Sequence, residues 1–442
     1  MTKLRKIILI PALTIVSLSG FFSCGVDRWP EYAHQTALDT WILDIMQQNY
    51  LWYQELPSYD DVNLFVEPAS FLSKVKSKQD SYSFVDSVMA TPLPTYGFDY
   101  SLVRNPDIDT AYNALITYVI PGSPAAQAGL ERGDWIMKVD TSYISKKYET
   151  YLLQGTKAVK LTLGEWKEVE IEDEEDGNEG GDGEDEGPTM EYRVVPIDDP
   201  VEMPAAQIVE DNPVHKYEII ESPVKKIRLG YLMDCVQLLG TILTSADRLG
   251  EPMAYLEYND KNTDKDATIL FGTDREINLN LHSLIAITSG TTMGAPEMLI
   301  RSLFLEDTYP IATVGSSTKG QNVATEQFIN EEFLWSVNPV VCTVYNSQHD
   351  TYGAISPATD LKVSETTIDG STNYSEFLPF GTFDKDGKSE RLLKIAIGVL
   401  DGTYPPKDDE TPEESTPQTR FKVEKSVSSP ASRRFSSKGL RL

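Results

Sequence analysis

Apolar residues near the N-terminus follow a helical period. Side chains spaced by three residues and by one lie on one face of a helix, and this spacing is shown by Leu38, Trp41, Ile42, Ile45 and Met46. Several aromatic residues follow, and a proline then ends the stretch. The pattern predicts a helical domain, which we place at residues 30–92.

After this domain the apolar spacing changes to the alternation of short strands with turn residues between them. Ser123 can cap a short helix there, because a serine hydroxyl accepts a hydrogen bond from a backbone amide of the first turn. Gly129 can end this helix in a left-handed conformation, and the apolar strand Trp135–Val139 follows. We predict a β-rich domain at residues 96–166.

Residues 226–400 alternate strand-like and helical stretches, which predicts an α/β layered core. The candidate strands are Ile227–Leu232, Met253–Leu256, Leu284–Ile287, Ile311–Val314 and Val340–Val344, and the candidate helices are Met298–Leu305 and Leu392–Leu400. Residues 167–190 are dominated by Glu, Asp and Gly, and we predict a disordered insert because like charges repel and little can be buried. Residues 191–225 connect this insert to the core, and residues 401–442, rich in Pro, Ser and charge, are predicted to be a disordered tail.

Composition excludes several classes of function. The 442 residues carry 39 Lys and Arg against 68 Asp and Glu, a net charge of −29, and such an acidic surface repels the phosphates of a nucleic acid. The 4 histidines and 3 cysteines are scattered, with no CxxC, HxH or HExxH spacing. We therefore predict no nucleic-acid partner, no metal site and no cofactor. A disulfide between Cys235 and Cys342 stays open.

The first 24 residues have the pattern of an export signal. Three basic residues precede an apolar run that ends at Phe22 and is followed by Ser23 and Cys24. The segment from Phe21 to Cys24 resembles the lipobox of Bacteroidetes lipoproteins, which implies acylation of Cys24 and a lipid anchor in the cell envelope, at the outer membrane and facing the periplasm or the surface. An ordinary cleaved signal is the alternative.

The stretch from Val119 to Ile136, with its Pro-Gly-Ser-Pro-Ala-Ala and Gly-Asp-Trp-Ile segments, resembles a PDZ domain. Three further segments, Leu229–Leu232, Tyr352–Pro357 and Leu378–Gly381, match landmarks of the tail-specific, or C-terminal-processing, serine peptidases. The chain resembles that family from Trp41 to Leu400. The resemblance implies a multidomain α+β and α/β fold: a helical segment, a PDZ-like domain, and a peptidase-like core of the crotonase-like type.

The resemblance also locates the family's catalytic machinery, and here its residues are replaced. Members of the family use a serine nucleophile and a lysine base. The serine lies three residues before a glutamate, and Thr292–Glu297 puts Gly294 at that position. The lysine segment matches Gly315–Val323, which puts Gln321 at the position of the base. The glycine-rich run that helps to hold the oxyanion becomes Tyr255–Asn262, without its glycines.

Three replacements at once predict a peptidase relative without turnover that binds peptides or proteins. A PDZ domain binds polypeptide C-termini as an added strand, and the resemblance gives the carboxylate-binding loop as Tyr96, Gly97, Phe98 and Asp99. The alternative is an active serine endopeptidase with a relocated pair, for which Ser289 and Lys319 are the candidate substitutes.

Overall fold

The computed structural model describes residues 29–87, 93–171, 189–211, 214–221, 226–232, 236–364, 367–368, 371–373, 378–383, 388–404, 420–432 and 440. Its α-helices are α1 (Trp29–Asn49), α2 (Pro68–Val75), α3 (Pro124–Gln127), α4 (Glu149–Leu153), α5 (Val236–Leu243), α6 (Ala295–Leu303) and α7 (Arg391–Asp401). The predicted signal, Cys24 and Cys235 lie outside the described residues.

Within the described ranges the strands form six sheets. In chain order they are β1 (Phe84–Ser87), β2 (Phe98–Arg104), β3 (Tyr112–Val119), β4 (Trp135–Val139), β5 (Ser142–Tyr143), β6 (Val159–Ile171), β7 (Thr189–Pro196), β8 (Val201–Met203), β9 (Val214–Glu221), β10 (Lys226–Leu232), β11 (Pro252–Tyr258), β12 (Ala267–Leu270), β13 (Leu284–Thr288), β14 (Ile311–Gly315), β15 (Val323–Thr325), β16 (Phe328–Asn330), β17 (Trp335–Asn338), β18 (Val340–Tyr345), β19 (Thr367–Ile368), β20 (Ser371–Asn373), β21 (Arg420–Phe421) and β22 (Val423–Val427).

The N-terminal helices share a core with the peptidase-like part of the chain. The apolar face predicted for α1 is buried: Ile42 and Met46 are inaccessible to solvent and pack in one cluster with Val337 and Val340. Strand β1 then pairs with β17, so the N-terminal segment also adds a strand to a sheet of the core. Burial of this face fixes α1 against the core, because each large apolar side chain contributes about 2 kcal/mol when removed from water.

The β-rich domain is an antiparallel sheet with the strand order β22-β2-β3-β4-β6-β7. The local predictions for it are confirmed. The hydroxyl of Ser123 accepts a hydrogen bond from the backbone amide of Ala126 at 3.2 Å and so caps α3. Gly129 has a φ of +79° immediately after that helix, a conformation that costs glycine little.

The core combines a sheet of order β12-β11-β18-β15 with the parallel pair β13-β14. Helix α6 lies between β13 and β14 in the chain, which makes a β-α-β unit, and α7 packs against the same two strands. The five strands and two helices predicted for the core are all present. The α+β multidomain fold class is confirmed, and the turn from β13 into α6 carries Gly294.

The β-rich domain is wider than the predicted range 96–166. Strand β6 continues to Ile171 and pairs with β7 over its whole length, so the predicted insert at 167–190 begins and ends inside a hairpin. Residues 172–188 lie outside the described residues. Strands β7 and β8, predicted as part of a connecting segment, both pair with β6, because their alternating apolar side chains complete the sheet.

The prediction of a disordered tail at 401–442 is wrong for residues 420–432 and for Leu440. Strand β22 pairs antiparallel with β2, and Phe421 and Leu440 are buried. The apolar alternation of Phe421, Val423 and Val427 allows a strand here, and an open sheet edge supplies its partner.

One buried arginine connects the β-rich domain to the core. The Arg132 guanidinium donates a hydrogen bond to the backbone oxygen of Leu378 and lies 4.6 Å over the Phe380 ring. Leu378 and Phe380 both belong to Leu378–Gly381, one of the segments that carry the resemblance to the peptidase family. Among the described residues, no helix combines the length and the apolar character needed to cross a bilayer.

Candidate functional site

The turn between β13 and α6 places Gly294 at the N-cap of the helix. Gly294 has a φ of +69° and a ψ of −112°, a backbone conformation that residues with a side chain rarely adopt. Its amide donates a hydrogen bond of 3.0 Å to the carboxylate of Glu297, three residues further on. The start of the helix is therefore held in the geometry that would present a side chain at position 294 to the neighbouring loop.

The Glu297 carboxylate connects this helix start to the loop at residues 318–321. It is fully buried and accepts a hydrogen bond from the hydroxyl of Thr318 and from the amides of Gly320, at 2.5 Å, and Gln321, at 2.8 Å. Hydrogen bonds to a buried charge are among the stronger ones in proteins. Glu297 thus fixes the position of Gln321 relative to Gly294.

Gly294 and Gln321 lie opposite each other, and we call the space between them the crevice. A Cβ added to Gly294 would lie 2.9 Å from Oε1 of Gln321. The side chain of Gln321 is fully buried, and its Nε2 donates a hydrogen bond of 2.9 Å to the backbone oxygen of Val323. A glycine offers no nucleophile, and a carboxamide does not take up a proton in the physiological range.

Leu440, near the C-terminus, occupies the crevice. Its amide donates a hydrogen bond of 3.1 Å to Oε1 of Gln321, and its backbone oxygen accepts one of 3.0 Å from the amide of Thr325. Its side chain is 8% exposed and packs in the cluster that contains Ala295 and Met298 of α6. The main chain at Leu440 is therefore held directly against Gly294, the position that the sequence predicts for the serine.

The two substitutes proposed from the sequence both contact Thr292, Ser289 through its hydroxyl and Lys319 through its backbone amide. The Ser289 hydroxyl lies 2.8 Å from that of Thr291 and 3.5 Å from that of Thr292. Lys319 is exposed, and its backbone amide donates to the backbone oxygen of Thr292 at 3.0 Å. Within the part of the chain that the structure describes, no hydrogen bond joins the Ser289 hydroxyl to the Lys319 amine.

The loop that replaces the family's glycine-rich run has a structural contact instead. The side-chain amides of Asn259 and Asn262 donate to the backbone oxygens of Tyr50 and Gln48, at 3.0 Å and 2.7 Å. The Lys261 amine donates to the Gln47 oxygen at 2.8 Å. These oxygens belong to the end of α1, where carbonyl groups lack partners within the helix. Residues 259–262 therefore cap a helix, and a cation there also suits the negative end of the helix dipole.

A second polar contact lies on β11, the strand that precedes residues 259–262. The Glu257 carboxylate lies 2.8 Å from Nε2 of His349, and the ring of His349 packs 4.4 Å from that of Tyr255. His349 is half-exposed and has a φ of +62°, typical of a turn. These features are typical of a solvated turn.

The predicted carboxylate-binding loop is present at the start of β2, with an acidic residue inside it. Gly97 has a φ of +83°, and a Cβ there would come within 2.3 Å of the Ser123 Cβ, so only glycine fits. Asp99 is fully buried, and its carboxylate accepts hydrogen bonds from the amide of Ser429, at 2.7 Å, and from the hydroxyl of Ser432, at 2.8 Å.

The buried thiol of Cys342 is not a substitute nucleophile. Burial raises its pKa to about 12, so the reactive thiolate is scarce at neutral pH. It is a free cysteine next to Ala324 and Val341 in the cluster that holds Leu440. Among the described residues, no group of three or more His, Cys, Asp or Glu side chains is arranged to hold a metal ion.

Sequence reasoning missed the contacts of three residues: Glu297 and Leu440 at the crevice, and Ser429 at the start of β2. The capping spacing from Gly294 to Glu297 was visible in the sequence, but the contacts of Glu297 with residues 318–321 were not. Leu440 and Ser429 approach partners more than a hundred residues away in the chain.

Comparisons with known proteins agree with this architecture. The model of the peptidase S41 N-terminal domain matches residues 37–84, and a PDZ domain model matches residues 115–162. No curated protein matches the chain. The chain is 33% identical to a protein of Bacteroides fragilis NCTC 9343 assigned to the S41 proteases; the match covers 82% of this chain and 97% of that one, with a TM-score of 0.67. A more distant match, 14% identical with a TM-score of 0.36, is the photosystem II D1 C-terminal processing protease, covering 75% of this chain and 93% of that one.

Proposed function

The chain belongs to the S41 peptidase family, and from that premise we propose that it binds polypeptide segments without hydrolysing them. A single observation carries the proposal: Gly294 and Gln321, the positions that the sequence assigns to the family's serine and lysine, lie opposite each other, and the main chain of Leu440 lies against both. Neither residue carries the hydroxyl or the amine that a serine–lysine pair needs.

Electrostatics support the same proposal. Proton transfer in a serine–lysine pair needs an amine that loses its proton easily and a hydroxyl within about 3 Å of it. In the crevice, Oε1 of Gln321 instead accepts a hydrogen bond from the Leu440 amide, and Thr325 donates to the Leu440 carbonyl. These are the contacts that would hold a ligand backbone in place.

The sequence supports a location in the cell envelope. The basic N-terminus, the apolar run and Cys24 are the features of a lipoprotein signal, so the proposed protein is exported and anchored by lipid at Cys24. A net charge of −29 does not favour nucleic acid as the ligand.

The experiment incubates the purified chain with a fluorescently labelled unfolded polypeptide, such as reduced and carboxymethylated casein. We expect saturable binding in fluorescence anisotropy and no new fragments by mass spectrometry after prolonged incubation. A folded globular protein of about the same size as casein serves as the control ligand.

Two substitutions separate the proposal from its alternative. Cleavage that disappears in Ser289→Ala or in Lys319→Ala would show an active peptidase with a relocated pair and would overturn the proposal. The variant Gly294→Ala provides the matched control, because a side chain at this position tests whether the crevice, and not another surface, contacts the polypeptide.

A further inference from the structure

The open edge of β2 is occupied by the chain's own C-terminal part. Strand β22 runs antiparallel to β2, with Val427 opposite Tyr100, Ser426 opposite Ser101 and Lys425 opposite Leu102. Its direction brings residues 429–432 to the loop that precedes β2. The added strand therefore takes the place that a peptide takes in strand addition to a sheet edge.

Apolar side chains anchor β22 and the residue of β21 that precedes it, Phe421. The ring of Phe421 is 9% exposed and makes edge-to-face contacts with Trp135, at 5.2 Å between ring centroids, and Trp166, at 5.4 Å. Val427 packs against the cluster on the inner face of the sheet, and Val423 packs with the tryptophans. The pairing register shifts between Leu102 and Val103, and this shift allows Val423 and Val427 to pack in different clusters.

A buried carboxylate selects a basic residue in the middle of the strand. The side chain of Glu149, in α4, is 2% exposed and forms an ion pair with Lys425. It also accepts a hydrogen bond of 2.7 Å from the hydroxyl of Tyr100. Burial alone would raise the pKa of Glu149, but the hydrogen bonds from Lys425, Tyr100 and Thr150 outweigh it, so the pKa is lowered. A buried carboxylate that loses its cation is left uncompensated, which is costly.

The loop before β2 is built for donors and not for a terminal carboxylate. The Asp99 carboxylate, fully buried, accepts hydrogen bonds from the Ser429 amide and the Ser432 hydroxyl, and the Thr95 hydroxyl lies 2.9 Å from that of Ser429. A second carboxylate at this place would meet a like charge in a poorly hydrated site. The segment that pairs with β2 continues through residues 429–432, so it binds here as an internal part of a chain and not through a terminal carboxylate.

We propose that the β2 groove, formed by β2, Asp99 and Glu149, binds an internal, extended polypeptide segment with a central basic residue, and that residues 421–432 are its resident ligand. A partner segment of the same chemistry must displace this resident. The inference rests on the proposed peptide-binding function, and it adds the class of ligand and a competitor built into the chain.

The test uses the full chain and its Phe421→Ala variant, in which the resident segment loses its aromatic anchor. The probe is a labelled peptide of residues 421–432, prepared with a C-terminal carboxamide or with a free carboxylate. We expect Phe421→Ala to bind the peptide at least 10-fold more tightly than the unchanged chain, and the two peptide ends to differ by less than 3-fold. Hydrogen exchange checks release: β2 amides should exchange faster in the variant, while β3–β4 amides keep their protection.

A charge exchange provides the specificity control. The peptide with Lys425→Glu should lose at least 10-fold in affinity for the Phe421→Ala chain, and Glu149→Lys in that chain should restore it. Lys425→Glu in the full chain is a second variant designed to release residues 421–432 from β2. It is used if Phe421→Ala leaves the hydrogen exchange of the β2 amides unchanged. We call these two chains the released variants.

Three results would overturn the inference: a free carboxylate that improves binding by more than 10-fold, a released β2 edge that binds neither peptide, or unchanged β2 exchange in both released variants. Mass spectrometry of the recovered peptide keeps the proposals apart. A cleaved peptide contradicts the non-hydrolytic function, whereas binding of the intact peptide with the wrong preference contradicts only the proposed ligand class.

Discussion

The Glu297 carboxylate accepts hydrogen bonds from three backbone amides and one hydroxyl, which come from both sides of the crevice. A glutamine of the same shape has one oxygen for these donors, and its amide group would face the remaining amides donor to donor. A buried donor that loses its acceptor costs about 1–3 kcal/mol.

We therefore expect Glu297→Gln to lower the free energy of unfolding by about 2–4 kcal/mol, measured by urea denaturation. Glu306→Gln, at an exposed position after the same helix, is the matched control and should change stability by less than about 0.5 kcal/mol. Equal effects of the two substitutions would mean that Glu297 does not hold the crevice together.

Gly294 combines a strained backbone with a close neighbour. A Cβ at this position would lie 2.6 Å from the Leu440 amide nitrogen, in addition to the cost of a positive φ. Gly402 shares the positive φ, at +72°, but has no heavy atom within 4 Å of an added Cβ. Gly402 has a ψ of 22°, in the left-handed helical region, whereas Gly294 has a ψ of −112°, so Gly402→Ala gives a minimum for the backbone cost and removal of Leu440 isolates the crowding.

We predict that Gly294→Ala costs about 2–4 kcal/mol and Gly402→Ala about 1 kcal/mol, both measured by chemical denaturation. Deleting residues 440–442 should reduce the excess cost at position 294, because the neighbour that crowds the new methyl group is then absent. An unchanged excess after the deletion would show that Leu440 does not occupy the crevice in solution.

Helices and strands with strong periodicity were predictable, and elements whose partners lie far along the chain were not. The apolar face of α1 and the β-α-β unit around α6 follow from local spacing alone. Strand β22 has only two apolar residues, Val423 and Val427, and its stability comes from an edge more than 300 residues away. Composition indicated disorder there, and tertiary pairing outweighed it.

The predicted residues of the candidate site illustrate the same limit. Alignment with the family pattern placed Gly294 and Gln321 as the nucleophile and base positions, and these two residues are adjacent in the structure. The same comparison could not show what fills the crevice, because Leu440 belongs to a part of the chain outside the resemblance. Nor could it show that residues 259–262 cap α1, since that contact depends on how the helix docks.

Helix α1 also contains a buried acid, Asp39, on the face that packs against the rest of the chain. Burial raises the pKa of Asp39 to about 7, the Val66 backbone opposes this rise, and Glu67 adds to it. The unfolded chain has the ordinary value near 3.9. Between these two values the folded state binds more protons, so acidification stabilises the fold and the gain is lost as the pH rises to about 7.

The expected result is a fall in unfolding free energy of up to about 4 kcal/mol from Asp39 as the pH increases from 4 to 7. Asp39→Asn should remove this dependence and should be more stable than the unchanged chain at pH 8. Asp60→Asn, at an exposed position, is the control and should leave the profile unchanged. Parallel pH profiles for Asp39→Asn and the unchanged chain would contradict the assignment.

At the scale of the whole molecule, three sets of contacts join parts of the chain that are far apart in sequence. The N-terminal helices share a core with the peptidase-like part, Arg132 joins the β-rich domain to the landmark at 378–381, and the C-terminal part reaches both the β2 groove and the crevice. Ligand binding at the β2 groove therefore competes with a segment that also carries the occupant of the crevice, so the two sites are physically connected through the chain.

The last prediction concerns the lipid anchor that we propose for the N-terminal segment. If Cys24 is the acylated residue, expression in a host that processes bacterial lipoproteins should give a product that incorporates an alkyne fatty acid and partitions into detergent. Cys24→Ser should abolish both signals, because serine offers no thiol for the lipid. Cys342→Ser is the control, since that thiol is buried far along the chain and should not affect labelling. Undiminished labelling in Cys24→Ser would place the lipid elsewhere. If the unchanged chain and the Cys24→Ser variant are both unlabelled and both secreted in soluble form, the signal is an ordinary cleaved one.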